Sequence, residues 1–93
     1  MRLSKKEIEI IKYKVETIFG KSIIYLFGSR VNDEKSGGDI DLYIVSENKE
    51  NLFQKKARIK ILLEDTLYKP VDIIIGKDKN RLIEKEALKG VVL

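Results

Sequence analysis

Ninety-three residues suffice for a single domain, read here over 1–93, near the lower size limit for folding alone, with roughly 60–65% of the unfolded surface buried. At 43% hydrophobic and 37% charged, the composition is globular, and no apolar run approaches the roughly 18–20 residues that span a bilayer. The net charge of +4 favours anionic ligands without arguing for nucleic acid, and the absence of histidine and cysteine excludes imidazole or thiolate metal sites and histidine-based triads. Any catalysis therefore rests on carboxylates, hydroxyls, Lys/Arg and oxygen-bound cations. A polar start without a signal-peptide core, and no disulfides, fit a cytoplasmic protein.

In chain order, Ser4-Lys5-Lys6-Glu7 is a capping box that opens a helix. Ile8, Ile11, Val15, Ile18 and Phe19 recur at helical spacing, and Gly20 suits a left-handed stop. Ser22 to Phe27 is a β-branched and aromatic run, the first strand. Residues 28–38 are polar and glycine-rich, a loop, and Asp39 to Val45 is the second strand. A second helix is expected over 49–67, with Leu52, Ala57 in part, Ile59, Leu62, Leu63 and Thr66 on its buried side. Pro70 leads into a third strand, Val71 to Ile75, closed by Gly76. A third helix over 79–89 centres on Leu82, Ile83, Ala87 and Leu88, and Val91-Val92-Leu93 either adds an edge strand or covers the core. The fold class is α/β (α+β): a small mixed sheet of three to four strands covered by about three helices, with the helices able to cover one face.

Three acids interrupt these β-branched runs. Asp39 and Asp41 lie two apart on a strand, so both carboxylates project from one face while Ile40 and Leu42 point into the core. An unpaired buried carboxylate costs several kcal/mol, roughly, unless a cation or donor meets it. Two oxygen-rich side chains on one face make a hard-cation site of the kind Mg²⁺ shares with substrate phosphates. Asp72, near the start of the third strand, joins them if that strand pairs with the second in suitable register; otherwise it is a strand-end residue capping amides. A three-carboxylate cluster can hold two cations that clamp the attacking and leaving oxygens of a phosphoryl-type transfer, and Asp72 can accept the proton of an attacking hydroxyl. Directly after the first strand, Gly28 lets backbone amides approach a phosphate, the Ser29 hydroxyl can donate to one, and Arg30 adds a positive charge. Each feature alone has a bland explanation: a turn at Gly28-Ser29, surface alternation at Asp39-x-Asp41, a solvated charge at Arg30. Their agreement in spacing and context argues for a site.

Phe27-Gly28-Ser29, a nine-residue spacer (30–38), Asp39-Ile40-Asp41-Leu42 and a later strand acid together resemble the nucleotidyltransferase superfamily related to DNA polymerase β. The resemblance covers essentially the whole chain and is nearest to the minimal nucleotidyltransferases. It implies that Asp39 and Asp41 bind Mg²⁺ (two ions with Asp72 as third carboxylate), and that Ser29 binds the terminal phosphates of a nucleotide such as ATP. Many relatives continue Gly-Ser-Arg-Ala-Arg-Gly, where this chain reads Gly28-Ser29-Arg30-Val31-Asn32-Asp33 without the second arginine. Larger members add an acceptor-binding domain for which this chain has little material, so the acceptor is expected on another protein. Minimal nucleotidyltransferases resemble the antitoxin of two-gene systems whose partner is a helical HEPN toxin, and some transfer AMP from ATP to a toxin tyrosine. The resemblance thus implies protein adenylylation. The alternative is a non-catalytic antitoxin that neutralises its partner by complex formation. The basic stretch Lys55-Lys56-Ala57-Arg58-Ile59-Lys60 fans around a helix and reads as a solvated face, not a nucleic-acid surface. A metal-dependent nuclease would leave the Gly28-Ser29 turn unexplained.

Overall fold

Ser4 takes an extended backbone, its hydroxyl accepts from the Glu7 amide at 3.1 Å, and the Glu7 carboxylate accepts from the Ser4 amide at 3.0 Å. This reciprocal cap starts helix α1, Lys5–Phe19, in the computed structural model, which describes residues 3–28, 40–77 and 81–93. The helical period turns Ile11, Val15 and Phe19 fully inward, and Gly20 (φ 80°) ends the helix with its amide on the Glu16 carbonyl. Strands β1 (Ser22–Phe27) and β3 (Val71–Ile75) occupy the runs expected for them. Strand β2 spans Ile40–Ser46, and Asp39, expected at its start, lies outside the described residues.

Helix α2, Leu52–Leu67, begins three residues later than its pattern predicts. The Asn48 side chain accepts from the Glu50 amide at 2.8 Å, and Asn51 sits in the left-handed region (φ 53°), so local polar bonds hold 48–51 as a turn. Its buried side is Ile59, Leu63 and Leu67; Ala57 and Thr66, expected inward, are exposed. Helix α3 is shorter than expected, Leu82–Ala87, with residues 79 and 80 outside the described set. Val91–Val92 forms strand β4.

The sheet order is β3-β2-β1-β4, with β1 antiparallel to both neighbours and β2 parallel to β3. A parallel pair needs a crossover, and α2 supplies it. Alternation then sorts the strands into two faces. Ile24, Leu26, Ile40, Leu42, Ile44, Val71, Ile73 and Ile75 meet α1 and α2 in the main core. Tyr25, Phe27, Asp41, Tyr43, Asp72 and Ile74 project from the other face.

Helix α3 lies on that second face, so the expectation that the helices cover one face is corrected. The same helix keeps only half of its expected inward side: Ala87 is fully buried, but Leu82 is 76% exposed and Ile83 44%, and Glu84 is fully buried in their stead. The Glu84 carboxylate is the reason. It accepts from the Tyr43 hydroxyl at 2.8 Å, from the Lys77 amide at 3.0 Å and from the Arg81 guanidinium at 3.3 Å. A buried carboxylate supplied with donors on several sides can outweigh the burial of two leucine-sized side chains in deciding how a short helix turns. Among the described residues, no helix is long and apolar enough to cross a membrane.

Candidate active site

The site forms where β1 ends and β2 and β3 begin. The register sets Phe27 opposite Asp41, and Gly28 follows at φ 74°. A methyl group on Gly28 would run into the Asp41 carboxylate, lying 3.2 Å from its Cγ. Glycine is thus required twice over, by its backbone conformation and by the acid packed against it. Asp41 stands between Ile40 and Leu42, both fully buried in the core, so the strand phase turns its half-buried carboxylate to the opposite face.

Asp72 is the direct partner of Asp41 across the parallel pair β2–β3, the register on which its place beside Asp41 depends. Neighbouring strands are about 4.8 Å apart, and partners in register share a face, so the two carboxylates stand side by side. The Asp72 side chain is 59% exposed. Two residues further along β2 on this face, Tyr43 is buried under α3 through Glu84, so the helix covers the sheet beyond the acids. Burial, then the Glu84 carboxylate, pushes the Tyr43 hydroxyl up to about 12, which keeps it a neutral donor.

Ser29, Arg30 and Asp39 lie outside the described residues. Gly28, Asp41 and Asp72 are brought together. Among the described residues there is no cluster of three or more potential metal-binding side chains.

Sequence reasoning missed two residues of α2. The Lys60 ammonium donates to the Val71 carbonyl at 2.5 Å and to the Glu64 carboxylate at 3.2 Å, and lies 3.8 Å from the Asp72 carboxylate. Glu64 in turn accepts from the Val71 amide at 2.9 Å. That amide, then the Lys60 ammonium, hold the Glu64 carboxyl below the usual carboxylate range. Both polar groups of the residue preceding Asp72 are therefore taken by one helical i,i+4 pair. The sequence carried a faint signal, Lys60 and Glu64 at salt-bridge spacing, but the strand they meet is a tertiary fact. Of the neighbouring stretch, Lys56, Ala57 and Arg58 are exposed, Lys55 is half-buried and Ile59 is buried.

A family model described as polymerase beta, nucleotidyltransferase, matches residues 5–93. No curated protein matches the chain.

Proposed function

The chain belongs to the polymerase β-type nucleotidyltransferase family, and on that premise we propose that it moves AMP from ATP to a hydroxyl of a partner protein in a Mg²⁺-dependent reaction. The observation that carries this reading is the Asp41–Asp72 register on one face beside Gly28. Two adjacent carboxylates repel, and their all-oxygen donor set fits a hard divalent cation. Together with Asp39 they are the residues that would hold Mg²⁺. When bound, Mg²⁺ supplies positive charge against the phosphate oxygens and the developing charge of the leaving group.

The chain's own groups have definite tasks. Gly28, through its backbone, Ser29, through its hydroxyl, and Arg30, through its guanidinium, bind the terminal phosphates. Asp72 takes the proton of the acceptor hydroxyl on a carboxylate oxygen. The hydroxyl oxygen forms its bond to the α-phosphorus as the bond to the β-phosphate oxygen breaks, and pyrophosphate leaves. Asp41, anchored between core residues, would hold the cation at a fixed place on the sheet.

The acceptor we propose is a tyrosine of a helical HEPN toxin, and the chain acts as its antitoxin; the resemblance to minimal nucleotidyltransferases supports this assignment. The test is to incubate such a partner with this protein, ATP and Mg²⁺ and to weigh it intact. A gain of one adenylyl unit, lost in Asp41→Asn and reduced about 10²–10⁴-fold in Asp72→Asn, is expected. An unchanged partner mass, with ATP binding intact, refutes the transfer. A partner still silenced in cells by Asp41→Asn would point to neutralisation by binding.

A further inference from the structure

Strand β3 is an edge strand, so alternate residues direct their backbone groups away from β2. Ile40 donates its amide to the Pro70 carbonyl, and Gly76 donates its amide to the Ile44 carbonyl. The even-numbered residues therefore face β2, and Val71 faces outward. Its amide and carbonyl would otherwise be left to solvent one residue from Asp72, and Glu64 and Lys60 take them up. Lys60 does more than close the edge. Its ammonium is half-buried and stands 3.8 Å from an Asp72 oxygen, on the strand that sets Asp72 beside Asp41.

We propose that Lys60 is a positioning residue that serves as a built-in counter-ion of Asp72 beside Asp41: its ammonium offsets part of the repulsion between the two acids, holds Asp72 in line, and competes with the divalent cation for that carboxylate. This rests on the reading of Asp41 and Asp72 as cation ligands. The physical basis is charge at short range. Two carboxylates one strand apart repel, and a single positive charge within about 4 Å of one of them is worth a measurable fraction of that repulsion even in a solvated setting. A divalent cation arriving between the acids meets that same positive charge a few ångströms away. The lysine therefore makes the free site stable and the occupied site weaker. The Val71 carbonyl and Glu64 offer the ammonium two other acceptors, so it can leave Asp72 without leaving its place on α2.

The experiment is a Mn²⁺ titration followed by electron paramagnetic resonance on the whole chain, comparing wild type with Lys60→Met, Lys60→Arg and Asp41→Asn. Lys60→Met is expected to bind Mn²⁺ about three- to tenfold more tightly, with the difference shrinking at high salt because exposed charges are screened. Lys60→Arg, which restores the charge, is expected to return affinity to the wild-type value. In the transfer assay Lys60→Met is expected to lower kcat several-fold with little change in KM for ATP, since Asp72 is less well aimed while nucleotide contacts remain. A purely structural clamp would instead lower the thermal midpoint and leave Mn²⁺ affinity where it was. Equal affinity in a folded Lys60→Met overturns the proposal. Absence of Mn²⁺ binding by the wild type, or binding untouched by Asp41→Asn, overturns it together with the cation-site reading. Mn²⁺ affinities that shift as expected in a protein that transfers nothing uphold Lys60 as counter-ion and remove only the proposed reaction.

Discussion

Replacing Gly28 by alanine separates what the residue does for the fold from what it does for the site. A left-handed conformation costs a non-glycine residue about 1–2 kcal/mol, and alanine returns about 0.4–1 kcal/mol by restricting the unfolded chain. A 93-residue domain has roughly 5–14 kcal/mol of stability, so the variant stays folded. The new methyl group, however, would overlap the Asp41 carboxylate and sit 3.2 Å from its Cγ and 3.4 Å from its Cβ. Asp41 cannot retreat along the strand, because Ile40 and Leu42 on either side are fully buried in the core. The side chain must rotate instead, at about 0.5–1.5 kcal/mol, and its carboxylate is displaced by an ångström or so. Misplacement on that scale costs about 10²-fold in rate. Gly20→Ala is the control. It has φ 80° and ψ −152°, a region kept for glycine that costs about 1–3 kcal/mol, yet its methyl group would meet nothing within 4 Å, at the far end of β1. Urea unfolding followed by circular dichroism, with the transfer rate and Mn²⁺ affinity of each variant, gives the comparison. Both variants lose stability, and only Gly28→Ala loses function. A Gly28→Ala protein transferring at the wild-type rate would refute the reasoning.

Two further outcomes concern the second face of the sheet. Glu84→Ala strands the Tyr43 hydroxyl and the Lys77 amide without their acceptor, and is expected to cost about 3–5 kcal/mol in urea unfolding, with Glu84→Gln costing less because an amide oxygen can still accept. The Tyr43 hydroxyl, raised above its ordinary value to about 12 by burial and by Glu84, makes a contribution present in full below pH 10 and lost as pH climbs through 12. Wild-type stability should therefore fall across pH 10–12 by about 2–3 kcal/mol more than that of Tyr43→Phe, measured by unfolding at each pH.

Much of this molecule is legible residue by residue. The capping box at Ser4, the stop at Gly20 and strands β1 and β3 follow from rules of short range. Where local reading failed, a polar group was responsible: Asn48 and Asn51 delayed α2, and Glu84 turned α3 so that Leu82 faces out. The hydrophobic period carries no warning of this, because a carboxylate is buried only where several separate segments bring donors to it.

By itself, then, the sequence determined the phase of each element, since the helical and strand periods are properties of neighbouring residues. That phase is enough to aim Asp41 away from the core. Only the tertiary structure decided that Asp72 stands beside Asp41, that Lys60 reaches it from α2, and that α3 covers the sheet just beyond. The register between β2 and β3 is set by how the α2 crossover packs on the core, a balance of contacts far apart in the chain.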